Sequence, residues 1–219
     1  GYRRRARPVV RGVDLDVARG EVLGVIGPNG CGKSTLVKSL CGVLTPRSGT
    51  VTVDGVDAAG LRPARRAEII GYVPQSEQST AGVLTVAESL ALGLNRRRMG
   101  NRAVRTAVAS VAVRLELTEH LGRRVAELSG GQRQRVLIGR SLALRTRYLL
   151  LDEPVSSLDL RYQLEIMRIL ADLARRSEVG VLVVLHDLNL AAAFCNRVVV
   201  LDAGRVWSEG ATRDVITAG

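Results

Sequence analysis

Across 219 residues, 32 Lys+Arg stand against 21 Asp+Glu for a net charge of +11, with 46% of residues apolar and 24% charged. This excludes a disordered or fibrous chain and suits one domain with a buried core, alone or with a sizeable subdomain. The longest apolar run, Val179–Leu185, is far short of the ~20 residues of a membrane span, and the Arg-rich start lacks the apolar stretch of a secretory signal, so the chain reads as soluble.

In chain order, Val9–Val17 and Glu21–Ile26 read as strands parted by an Arg19-Gly20 turn. Gly32–Cys41 reads as a helix, with Gly42 where a helix C-terminal glycine belongs. Thr50–Val53 is a strand entering the tight turn Asp54-Gly55, and Ile69–Val73 is another short strand. From about Ser76 to Leu144 the pattern turns helical, through Thr85–Leu94, Arg102–Leu115 and Gln132–Leu144. Tyr148–Leu151, Val181–Leu185 and Val198–Leu201 are near-continuous apolar runs, the mark of strands covered on both faces in a parallel sheet. A helix follows from Leu160, and another covers Thr212–Ile216. The expectation is an α/β fold, with residues 1–75 and 145–219 as the α/β core and residues 76–144 as an inserted helical subdomain.

The three cysteines, Cys31, Cys41 and Cys195, show no metal-binding spacing and fit a reducing compartment. The positive charge invites a nucleic-acid reading. Against it, the arginines are scattered in short clusters along the chain, and aromatics are 3%, too few for a base-stacking platform. Solvated faces are the plainer account, with attraction to phosphates or anionic head groups as the alternative.

Three motifs carry chemistry. Gly27-Pro28-Asn29-Gly30-Cys31-Gly32-Lys33-Ser34, followed by Thr35, is a complete phosphate loop between a strand and a helix. Its glycines allow backbone N–H groups to converge on phosphate oxygens, and the helix adds its positive N-terminal end. Lys33 would place a point charge on the β- and γ-phosphates, and the Ser34 hydroxyl would ligate Mg²⁺. Tyr148–Leu151 then delivers two carboxylates at the C-terminal end of a strand, where α/β sheets bind ligands. Asp152 is suited to hold Mg²⁺ and Glu153 to take a proton from the attacking water, with Pro154 ending the strand. In Leu128-Ser129-Gly130-Gly131-Gln132, Ser129 is a good helix N-cap and the glycines precede a second helix N-terminus suited to an anion. One ATP does not need two such sites from one chain, so the second serves a nucleotide held by a partner copy.

Phosphate loop, LSGGQ and LLLDEP in this order resemble the nucleotide-binding subunit of ABC transporters, over roughly Tyr2 to Ile216. The resemblance implies a P-loop ATPase core with an antiparallel β subdomain and the helical insertion. It implies ATP and Mg²⁺ as ligands, an ATP-sandwich dimer, transmembrane permease subunits, an extracytoplasmic substrate-binding protein, and a place on the cytoplasmic face of the membrane. Gln75 resembles the glutamine that reaches Mg²⁺ and the attacking water, and His186 the histidine that contacts the γ-phosphate. Ser156–Asp159 resembles a loop crossing the dimer interface, although Asp159 equally suits a helix N-cap. Tyr2 is the candidate aromatic for adenine. Val155 and Asn196 depart from the residues usual in the family. The end of the chain soon after Ile216 implies no regulatory C-terminal domain.

Gly30-Cys31-Gly32 and Leu185–Ala192 resemble the ATPases of iron–siderophore, haem or cobalamin importers. Phe194–Arg197 leans toward manganese or zinc importers, and Leu92–Arg96 lacks the Gly-Arg-x-Pro run frequent among siderophore relatives. A soluble family member acting on nucleic acid is the rival from another class. Gln75 and Leu128 stand 53 positions apart, which leaves no room for a long coiled-coil arm, so no nucleic-acid partner is expected.

Overall fold

A computed structural model describes residues 8–75, 83–94, 99–143 and 146–216. Strand β1 (Val22–Ile26) runs into helix α1 (Lys33–Leu40), followed by the short hairpin β2 (Thr52–Val53) and β3 (Val56–Asp57). Helix α2 (Pro63–Ile69) leads into β4 (Ile70–Val73). Three helices come next, α3 (Val86–Leu92), α4 (Asn101–Arg114) and α5 (Gly130–Ala143). The chain then alternates through β5 (Tyr148–Leu151), α6 (Leu160–Ser177), β6 (Gly180–Val184), α7 (Leu188–Phe194), β7 (Arg197–Asp202), β8 (Arg205–Ala211) and α8 (Thr212–Val215).

The main sheet has the order β4-β5-β6-β1-β7-β8. Its first five strands are parallel, and β8 closes the edge antiparallel to β7. Valine-rich strands buried on both faces explain the continuous apolar runs. Alternation still sorts them: Leu23, Val25, Leu150, Leu182 and Val184 join Val37 of α1 and Val53 of the hairpin on one side. Val22, Ile26, Leu149, Leu151, Val181 and Val183 meet the helical side, with Ile166, Met167 and Leu170 of α6. On α6 the buried positions 166, 167, 170, 173 and 174 trace one stripe of a 3.6-residue period.

The segment 9–17 is not a strand. Its backbone makes no ladder, although Val13, Leu15 and Val17 are half-buried and alternate with exposed Asp14 and Asp16. Leu15 and Val17 pack on the α1 side of the core, so an alternating pattern reflects an extended segment lying on the core rather than a sheet partner. Among the described residues, antiparallel pairing in that region is confined to the four residues of β2 and β3. Helices α2 and α7 and strand β8 had no counterpart among the expected elements. Helix α2 buries none of its residues, so no apolar periodicity marks it. Gly42 does close α1, with φ of 76° and its N–H donating to Ser39 O.

Among the described residues no helix is long and apolar enough to cross a membrane. Burial raises the thiol pKa of Cys41, and pushes that of Cys195 up to about 12. Neither thiol is primed to react.

Candidate functional site

Because β4, β5, β6 and β1 lie side by side and parallel, their C-terminal ends collect the motif residues along one sheet edge. The end of β1 becomes the phosphate loop. Gly27, Gly30 and Gly32 have φ of 147°, 78° and 113°, a backbone that L side chains rarely adopt. At Gly27 a Cβ would lie 2.0 Å from Leu201 O, so no side chain fits. Lys33 is 5% exposed, and its ammonium donates to Gly27 O at 2.7 Å and Pro28 O at 2.9 Å. The lysine is thus folded over the loop whose amides it accompanies. Pro28, Asn29 and Gly30 face solvent, Cys31 is buried, and Thr35 accepts at its carbonyl from Ser39 Oγ.

Across β6, the Ser34 hydroxyl donates to Asp152 Oδ1 at 2.8 Å, joining the loop after β1 to the end of β5. Asp152 is 2% exposed, and desolvation raises its pKa above the ordinary carboxylate range, against the lowering effect of the Ser34 hydrogen bond. A raised native pKa means that ionising Asp152 opposes folding at neutral pH, a cost that vanishes below the pKa of the unfolded chain, about 4. Asp152→Asn is therefore expected to melt higher than the wild type at pH 7. The gain should shrink as pH falls toward 4, as followed by circular dichroism melts across that range.

Glu153 sits at φ 52°, a left-handed conformation uncommon for a side-chain-bearing residue and concentrated at functional positions. The sheet order places β5 between β4 and β6, so Glu153 has the residues following those two strands on either side. From beyond β4, Gln75 Nε2 donates to Glu153 Oε2 at 2.6 Å. From beyond β6, His186 Nε2 lies 2.6 Å from Glu153 Oε1. Two residues far from it in sequence thus converge on one carboxylate.

The Leu128–Gln132 turn forms a different kind of surface. Gln132 N–H donates to Ser129 Oγ at 3.3 Å and Ser129 N–H to Gln132 Oε1 at 3.0 Å, a reciprocal cap on α5. Ser129 and Gly130 face solvent. A Cβ on Gly131 would meet the Tyr162 ring at 2.7 Å, and one on Gly130 would meet Leu158 at 3.2 Å, so the turn lies against the segment leading into α6. Asp159 caps that helix, accepting from Tyr162 N–H at 3.2 Å. His120, which no sequence motif marked, lies with its Nε2 3.0 Å from Gln132 Nε2. Tyr2 falls outside the described residues.

A phosphate loop and an acidic strand end on one edge of a parallel sheet define a nucleoside-triphosphatase of the P-loop class. The sequence profile described as ABC transporter matches residues 10–156, and the chain belongs to that family. It is an ATP-binding cassette, an ATPase. It is 42% identical over 96% of its length to the hemin import ATP-binding protein HmuV of Rhizobium meliloti, spanning 83% of that protein. It is 39% identical over 94% of its length to the cobalamin import ATP-binding protein BtuD of Halobacterium salinarum, of which it spans only 52%. Identity to the methionine import ATP-binding protein MetN of Caulobacter vibrioides is 40% over 98% of the chain and 65% of that protein. Among solved structures, cbiO1 of Clostridium perfringens, part of the ABC transporter complex cbiONQ, superposes with a TM-score of 0.87 at 28% identity, covering 94% of this chain and 83% of that one. A dimeric ATP-binding cassette in a post-hydrolysis state, bound to ADP and phosphate, superposes with a TM-score of 0.81 at 30% identity, over 94% and 91% of the two chains.

Proposed function

We propose that this chain is the ATP-hydrolysing subunit of an ABC importer for a metal chelate such as haem, cobalamin or an iron–siderophore. The observation that carries the catalytic part is the Glu153 carboxylate, held by Gln75 on one side and His186 on the other, one residue beyond Asp152. In this reading the amides of Gly27–Thr35 and the Lys33 ammonium bind the phosphates. Glu153 takes the proton of the attacking water, and Lys33 and His186 stabilise charge developing on the γ-phosphoryl oxygens.

The residues fit Mg²⁺. Ser34 and Asp152 present two hard oxygen donors within 2.8 Å of each other, and Gln75 lies on the neighbouring strand end. Among the described residues no cluster of three or more His, Cys, Asp or Glu can hold a metal by itself. That matches a Mg²⁺ site completed by phosphate oxygens and water rather than by an all-protein cage. When bound, Mg²⁺ neutralises charge on the β- and γ-phosphates.

Ser129, Gly130, Gly131 and Gln132, with Asp159 nearby, would grip the nucleotide of a second copy, their solvent-facing turn being suited to an anion from outside. Residues 76–144 would form the helical subdomain through which permease subunits are moved, with an extracytoplasmic binding protein delivering the solute. The assembly would sit at the cytoplasmic face of the membrane.

Hemin and cobalamin import by two relatives supports the chelate class. The methionine relative, at 40% identity, is the observation that favours a second reading, amino-acid import. Two experiments test the proposal. ATPase rate per subunit is expected to fall on dilution as dimers dissociate; a rate independent of concentration overturns the sandwich. With the permease in vesicles, ATPase is expected to rise with a binding protein loaded with haem, cobalamin or ferric siderophore. Stimulation by a methionine-loaded binding protein alone would move the assignment to amino acids.

A further inference from the structure

The contact between His120 and Gln132 has no place in the chemistry above, and its polarity is fixed by its neighbours. Ser129 N–H can only donate, so the Gln132 atom 3.0 Å from it is the oxygen, Oε1. The other end of the same amide, Nε2, therefore points at His120 and donates. His120 Nε2 must then accept, which places the ring proton on Nδ1. Turning the amide over would set Nε2 against the Ser129 N–H, two donors face to face, whichever tautomer His120 adopts.

The ring is mounted on a firm base. Its residue ends a short 3₁₀ turn, Thr118–His120, that follows the fully buried Leu115 and Leu117. Arg123 N–H donates to His120 O at 2.9 Å. The loop beyond is tied to the start of α3, with Val86 N–H donating to Arg123 O, Ala87 N–H to Leu121 O and Val125 N–H to Leu84 O. On the other side Gln132 is half-buried and its cap partner Ser129 is exposed. The histidine is therefore the fixed end of a chain running from His120 through the Gln132 amide to the Ser129 backbone.

We infer that His120 is a positioning residue, holding the Gln132 amide as a hydrogen-bond acceptor so that the turn Ser129–Gly131, tethered by Gln132, keeps the shape that receives a phosphate. The inference rests on the proposed role of this turn toward the nucleotide of a second copy. His120 touches no nucleotide in this account; it acts only through Gln132. The same fastening ties the turn to the beginning of α3, the helix that follows the segment after Gln75.

The test compares acceptor and donor at one position. His120→Ala removes the acceptor, His120→Gln restores one through its side-chain oxygen, and His120→Lys offers donors only. Each is made in the full chain and measured for ATPase at saturating Mg-ATP and for fluorescent-nucleotide binding to the monomer. Each is also combined with Glu153→Gln to measure ATP-driven dimer formation by sedimentation. Ser129→Arg, which blocks the turn, serves as the control for the underlying reading.

His120→Ala and His120→Lys are expected to lower turnover about tenfold, the scale of one lost hydrogen bond, and to weaken the dimer similarly. Monomer binding should stay within about twofold of wild type, and His120→Gln should restore both turnover and dimer. If Ser129→Arg is inactive while His120→Ala matches wild type, or if His120→Gln is no better than His120→Ala, the positioning role is overturned and the turn's own role stands. If Ser129→Arg turns over normally, the reading beneath is overturned and the inference falls with it. Should His120→Ala fail to fold, the Gln and Lys variants make the same comparison of acceptor against donor.

Discussion

Glu153→Gln is expected to keep ATP binding, lose hydrolysis by about two to four orders of magnitude, and accumulate ATP-bound dimers. The substitution preserves size, and glutamine can occupy the left-handed backbone at this position at a cost like that of glutamate. What changes is the chemistry of the two atoms between Gln75 and His186. The carboxylate accepts from Gln75 at one oxygen and has His186 Nε2 2.6 Å from the other. An amide accepts at one end only and cannot take up the proton of an attacking water. The proposed phosphate cradle is the loop after β1, with β6 between it and β5, so binding should survive. Without turnover, nothing drives the sandwich apart. Stopped-flow phosphate release together with sedimentation in ATP measures both halves, and a variant that turns over normally removes Glu153 as the base.

The parallel core and the motif residues were legible in sequence for related reasons. Buried strands must be apolar on both faces, so Tyr148–Leu151 and Val181–Leu185 stand out as runs, and β5 keeps those bounds while β6 is Gly180–Val184. The phosphate loop is a local backbone device, and local sequence dictates it. The convergence of Gln75 and His186 on Glu153 was not legible from spacing. It follows from the strand order, and the two residues were marked only by resemblance to a family. The failure at Val9–Val17 has a physical cause: alternation reports one half-buried face, and a segment lying along a core gains that face without any ladder. Strand β8 pairs with β7 through its backbone, and its side chains are exposed or half-buried, leaving it without an apolar run. His120 was silent because a lone histidine in a polar loop carries no pattern. Only the cap geometry of Gln132 gives it a direction.

Lys33→Ala should act at the opposite end of the cycle. Removing a charge-assisted contact to phosphate is worth about 3 kcal/mol, which corresponds to a loss of more than about a hundredfold in ATP affinity. The fold should tolerate the change better than the 5% exposure of Lys33 suggests. The carbonyls it leaves are those of half-buried Gly27 and exposed Pro28, where water can replace the ammonium. The melting temperature is therefore expected to stay close to that of the wild type while nucleotide binding collapses. Isothermal titration with Mg-ATP beside a thermal melt separates the two. Glu153→Gln and Lys33→Ala then give opposite signatures from equally inactive proteins, the first trapped as an ATP dimer and the second remaining monomeric in ATP. Undiminished ATPase in Lys33→Ala would remove the ammonium from the phosphate site. A dimer formed in ATP by Lys33→Ala at wild-type nucleotide concentrations would mean that the loop amides alone suffice to hold the triphosphate.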